Sequence, residues 1–159
     1  MISKEVTELH MRTVLESTMQ GHDFQQIVVK LLFDLPYYDW VGIYELKGDE
    51  LVLATFLGEP SEHSVIKVGE GVCGTAVKDK KNQVIVDVAK VENYLSCSGH
   101  TNSEIVVLIK RDGQILGQID VDGHRKGAFD ESDEKFLEAM SDELARRWTG
   151  ERESIYARK

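Results

Sequence analysis

Cysteine is scarce in this 159-residue chain: Cys73 and Cys97 are the only two. A pair so widely separated is not a disulfide framework, and in a reducing compartment such thiols either do chemistry or lie buried and inert. Long hydrophobic runs are also missing. The longest, Ile105 to Ile109, is far too short to span a bilayer, and the opening M-I-S-K-E-V-T-E-L-H carries charge from its fourth residue with no apolar stretch of signal-peptide length. A cytoplasmic location is therefore expected. Basic side chains are outnumbered 19 to 28, a formal charge of −9 that repels phosphate backbones and anionic membrane surfaces, so neither nucleic acid nor membrane is expected as a partner. There is no internal repeat and no low-complexity segment. What remains is an ordinary globular composition, 42% hydrophobic and 30% charged. One domain over 1–159 is expected, long enough to bury a core without staples.

The apolar pattern divides the chain. Ile2, Val6 and Leu9, then Phe24, Ile27, Val28, Leu31 and Leu32, fall at helical spacing. They predict one or two helices over 1–35 with a break at Gly21-His22-Asp23 and Asp23 as the second N-cap. Pro36 cannot continue a helix, and the aromatic and β-branched Y-Y-D-W-V-G-I-Y-E-L that follows reads as a strand. Lys47-Gly48-Asp49 then turns it back on Leu51 to Leu57. Ser64 to Val68 is a short edge strand, G-E-G-V-C-G-T-A-V-K a tight turn opening a helix, and Gln83 to Val88 another short strand. A loop from Ala89 to Ser103 follows, of a length that usually means binding or disorder. Arg111-Asp112-Gly113 joins strands Glu104 to Lys110 and Gln114 to Val121. Asp130 or Ser132 caps a last helix over 130–150, whose stripe runs Phe136, Leu137, Met140, Leu144, Trp148. Helices at both ends of a hairpin-linked sheet over 37–122 predict an α+β fold built on an antiparallel sheet.

The functional signal centres on L-S-C-S-G-H-T-N-S-E-I-V-V, where Cys97 sits in a polar loop and Glu104 opens a β-branched strand. A thiol and a carboxylate joined by so short a backbone suit nucleophilic chemistry with a nearby proton donor; an ordinary loop cysteine beside a solvated charge is the other reading. Period two places Trp40, Gly42 and Tyr44 on one strand face, an aromatic patch in which the glycine leaves room for a ligand. Asp120 and Asp122 share a face in the same way, and with Glu104 on the neighbouring strand they predict a carboxylate cluster whose mutual repulsion raises at least one pKa. Core aromatics are the alternative reading for Trp40 and Tyr44, and strand-end caps for Asp120 and Asp122.

Taken together, D-W-V-G-I-Y from Asp39, G-V-C-G-T-A from Gly71, Asp87-Val88, N-S-E-I-V from Asn102 and G-Q-I-D-V-D from Gly117 resemble the free methionine-(R)-sulfoxide reductases, a branch of the GAF-domain fold. The resemblance runs from about Tyr37 to Trp148. It implies a six-stranded antiparallel sheet flanked by N- and C-terminal helices and a homodimer packed through terminal helices. It implies reduction of free methionine-(R)-sulfoxide by a thiolate, assigned by position to Cys97, through a sulfenic acid. Trp40, Tyr44, Glu104, Asp120 and Asp122 are implied as the substrate-binding positions, the three acids also serving catalysis. No cofactor or metal is implied beyond an external thiol reductant such as thioredoxin or glutathione. The family's further cysteine, ten positions before Cys73, is His63 here. The sulfenic acid is then left to Cys73 or to an external thiol. The segment around Cys97 also lacks the family's usual flanking residues, with His100 either replacing a polar group or facing solvent. A GAF module that binds a small molecule without turnover is the alternative function.

Overall fold

The computed structural model describes residues 2–92, 94–95 and 99–149. Two helices come first, α1 (Lys4–Glu16) and α2 (Gly21–Phe33). The hairpin β1 (Trp40–Lys47) and β2 (Glu50–Leu57) follows, then β3 (Val65–Lys67), helix α3 (Gly71–Asp79) and β4 (Gln83–Ile85). A second hairpin, β5 (Ser103–Arg111) and β6 (Gln114–Gly123), and helix α4 (Glu131–Arg146) complete the order. The strands form one antiparallel sheet in the order β3-β2-β1-β6-β5-β4, so the two hairpins meet through β1 and β6 at its centre. This is the expected α+β architecture, a six-stranded antiparallel sheet with helices on it.

Local chemistry explains the joints. Asp112 (φ 54°) and Gly113 (φ 78°) are both left-handed, the conformation a two-residue hairpin turn requires, and Arg111 pairs with Gln114 across them. Of the two caps offered for α4, Asp130 is the one used. Its carboxylate accepts from the Ser132 and Asp133 amides while Asp133 reaches back to the Asp130 amide.

Most strand ends differ from expectation by one or two residues, and three boundaries differ by more. The break between the first helices lies at 17–20, and Gln20, not Asp23, is the N-cap. Asp23 falls inside the first turn of α2, where a carboxylate still faces the positive end of the helix. The strand expected over Gln83 to Val88 stops at Ile85, because the Asp87 carboxylate takes the Ala89 amide and starts a 3-10 turn at Val88–Lys90. Finally, α4 ends at Arg146, so Trp148 packs on the core from beyond the helix.

Alternation splits the apolar residues between the two faces of the sheet. Val41, Ile43, Ile105, Val107, Ile109, Ile119 and Val121 pack against α2 and α4 through Phe24, Val28, Leu32, Leu137, Met140 and Leu144. Each such burial contributes on the order of 1.5–3 kcal/mol, making this the main core. The opposite face carries Trp40, Tyr44, Val106 and Leu108 and is covered by α3 through Val72, Cys73, Ala76 and Val77. Its polar residues make up the candidate site.

Candidate functional site

Register lays the site out as a grid on β1, β6 and β5. Trp40 pairs with Asp122, which pairs with Glu104; Gly42 with Asp120 and Val106; Tyr44 with Gln118 and Leu108. The faces expected from period two are therefore the faces observed, and the three acids do come together. All three are buried, Glu104 at 1% exposure and Asp120 and Asp122 at 0%. Carboxylates so far from water are costly unless protonated or matched by a cation. Burial is the larger cause holding the Asp122 carboxyl well above the usual carboxylate range, and the charge of Asp120 adds to it. Repulsion between the acids, expected as the cause, comes second. Hydrogen bonds from Glu104 and Thr101 work the other way, the Thr101 hydroxyl donating to Asp122 Oδ2 at 3.4 Å. Glu104 and Asp122 can thus share a proton.

Helix α3 brings a thiol to the same grid. Cys73, 4% exposed, directs its S–H at Glu104, with Sγ 3.8 Å from Oε2. Gln118 Nε2 donates to the Cys73 carbonyl at 3.0 Å and fixes the first turn of α3 over β6. One donor atom each from Cys73, Glu104 and Asp120 lies within 4.8 Å of the others, a set that is able to hold a cation.

The aromatic positions are enclosed. Trp40 and Tyr44 are fully buried, Trp40 Nε1 donating to the Glu59 carbonyl at 2.9 Å and the Tyr44 hydroxyl to the His63 carbonyl at 2.8 Å. They tie the loop after β2 down onto the grid. The space left by Gly42 is not open to a ligand as expected: a Cβ there would lie 2.4 Å from the Trp40 ring, whose indole fills it while stacking on Phe56. His63, where the family carries its further cysteine, contributes backbone only in the contacts described for it. His100 faces solvent, its side chain 70% exposed and 3.6 Å from a Glu59 oxygen.

Cys97 lies outside the described residues. Of its described neighbours, Leu95 packs on Gly71 at the start of α3 and Thr101 bonds to Asp122. The sequence reading missed Gln118 and Thr101. Gln118 shares the period-two face of Asp120 and Asp122 and was open to discovery by the same rule, whereas nothing in the polar loop distinguishes Thr101.

The GAF-domain family model matches residues 21–148. The free methionine-R-sulfoxide reductase of Saccharomyces cerevisiae is 36% identical over 129 residues, covering 79% of this chain and 67% of the yeast protein. This chain belongs to the GAF-domain family, in its free methionine-R-sulfoxide reductase branch. It is also similar to GAF domain-containing protein A of Dictyostelium discoideum, at 43% identity over 62% of this chain; the match spans only 62% of that relative's length. Among solved structures, the free methionine-R-sulfoxide reductase of Neisseria meningitidis in complex with its substrate superposes with a TM-score of 0.83 at 31% identity. That match covers 95% of this chain and 90% of the other.

Proposed function

We propose that this chain is an oxidoreductase that reduces free methionine-(R)-sulfoxide to methionine. The observation that carries the reading is the cluster of Glu104, Asp120 and Asp122, buried on one sheet face with a thiol against it, in a chain of this branch. Buried acids suit two tasks. An ionised one receives the ammonium of a free amino acid, and a protonated one donates to the sulfoxide oxygen, making sulfur more electrophilic.

Cys97 is the proposed nucleophile. Its thiolate attacks the sulfoxide sulfur; the oxygen leaves with the thiol as a sulfenic acid, and methionine departs with sulfur reduced by two electrons. A second thiol then attacks the sulfenic acid, giving a disulfide and water. Support for Cys97 is the position of its flanks, Leu95 at α3 and Thr101 at Asp122. Cys73, so near Glu104, is the internal candidate for the second thiol, and an external dithiol such as thioredoxin, or glutathione, reduces the product. No bound cofactor enters this scheme.

Two further assignments belong to the reading. Leu9, Leu15 and Met19 are exposed, and a groove of about 810 Å³ lined by Met11, Leu15 and Phe136 runs between α1 and α4; a second copy of the chain is the proposed occupant. Sedimentation of the full chain tests it. The proposed location is the cytoplasm; among the described residues no helix is long and apolar enough to cross a membrane.

One assay decides the function. Each epimer of methionine sulfoxide is offered free and within a peptide, with a dithiol reductant, and thiol consumption is followed. Only the free R epimer is expected to turn over, and Cys97→Ser to abolish it. Binding with no thiol consumed marks a sensor instead.

A further inference from the structure

We propose that Cys73, Glu104 and Asp120, with Asp122 beside them, form a binding site for a thiophilic divalent cation of the Zn²⁺ class, competing with the substrate for the acid grid. The competition rests on the function proposed above; the site itself does not.

The donor set has the right chemistry. Zinc takes thiolate sulfur and carboxylate oxygen together in tetrahedral sites, where neighbouring donor atoms stand about 3.6 Å apart. The Cys73 Sγ to Glu104 Oε2 edge is already 3.8 Å, and the three donors lie within 4.8 Å of one another, so modest side-chain rotation completes the face. A thiolate and two carboxylates together more than balance the charge of a dication.

A second observation suits a cation there. Asp122 is 0% exposed and is the cross-strand partner of Glu104, close enough to hydrogen-bond with it. Its Oδ2 takes the Thr101 hydroxyl, while its Oδ1 has no hydrogen-bond partner among the described residues. The Gln118 Oε1, on the far side of Asp120 along the same strand face, likewise has no hydrogen-bond partner among the described residues. Buried acceptors left over beside a mixed sulfur and oxygen donor set are what a cation satisfies.

Binding involves no redox change. The Cys73 thiol gives up the proton it now directs at Glu104, a sulfur to metal bond forms, and the proton passes to solvent. The occupied grid then neither receives an ammonium group nor donates a proton to a sulfoxide.

Cobalt is the probe, because a thiolate ligand gives Co²⁺ a charge-transfer absorption that oxygen ligands do not. The full reduced chain, stripped with chelator, is titrated with Co²⁺ and then with Zn²⁺. Expected is a saturable band at one equivalent, bleached by Zn²⁺, absent in Cys73→Ser, kept in Cys97→Ser, and weakened at least about tenfold in affinity in Asp120→Asn. Asp120→Asn keeps both thiols, and circular dichroism of each variant reports folding. A band that survives Cys73→Ser, one that vanishes in Cys97→Ser, or no saturable uptake overturns the site. Zn²⁺ inhibition competitive with the sulfoxide is read separately. A Cys73-dependent band in a chain that reduces no sulfoxide keeps the site and removes the reductase, and turnover without a band does the reverse.

Discussion

Cys73 Sγ lies 3.8 Å from Glu104 Oε2, a contact between the first turn of α3 and the start of β5 that links positions 31 residues apart. The thiol donates and the carboxylate accepts, so Glu104 is held in place by a group that is itself able to titrate. If Glu104 passes a proton to the sulfoxide oxygen, Glu104→Gln keeps its size and most of its hydrogen bonds but loses that proton. The expected result is a fall in kcat of about 10²–10⁴-fold, with KM for the free R epimer nearly unchanged. Steady-state kinetics checks it, and a raised KM with an intact kcat recasts Glu104 as a substrate anchor.

Asp122 makes the pH dependence of stability a measurement of the same grid. Its carboxyl is raised by burial and by Asp120, so between the pKa of an unfolded aspartate and the higher folded value the native state holds a proton that the unfolded chain has released. Stability from this group is full below the unfolded pKa and is lost as pH rises through the folded one. Asp122→Asn has no such loss and still accepts from Thr101. Thermal unfolding from pH 4 to pH 8 is expected to show the variant gaining on wild type as pH rises, then levelling. A constant or shrinking gap removes the argument, and activity should fall in the variant at every pH.

The parts legible from sequence were those fixed by short-range rules. The alternation of Trp40, Gly42 and Tyr44, and of Asp120 and Asp122, put the right side chains on one face, and Asp112-Gly113 announced its turn. Parts decided by distant contacts were not legible. Helix α1 ends at Glu16 where the Arg147 guanidinium takes the carbonyls of Val14, Leu15, Ser17 and Met19. The Gly21 amide bonds to the Arg147 carbonyl, so the start of α2 is also set from beyond α4, and a cap predicted from Asp23 had no means of anticipating it. The approach of Cys73 to Glu104 has the same character, since it follows from how α3 crosses the sheet.

Gly42 tests how closely the grid is packed. An added methyl meets the Trp40 ring at 2.4 Å and the Leu53 side chain at 3.2 Å, and the indole has Phe56 stacked on it at 5.7 Å between centroids. Gly42→Ala is expected to cost about 1–3 kcal/mol as overpacking and to lower Tm. It should also shift the Trp40 emission, read in a Trp148→Phe background. Unchanged stability and emission mean that the ring has somewhere else to go and that Gly42 does leave usable space.

Gln118 separates positioning from stability. Its amide holds the Cys73 carbonyl at 3.0 Å, while its own Oε1 has no hydrogen-bond partner among the described residues. In Gln118→Met one hydrogen bond worth about 0.5–1.5 kcal/mol is lost, but a buried acceptor without a partner, costly by a similar amount, goes with it. The net change in Tm is therefore expected to be small. The first turn of α3, freed from β6, no longer fixes the thiol against Glu104. Alkylation of Cys73 in a Cys97→Ser background should then speed up and change its pH profile, with Gln118→Glu, which keeps an acceptor but loses the donor, behaving alike. A large drop in Tm with unaltered alkylation assigns Gln118 to packing alone.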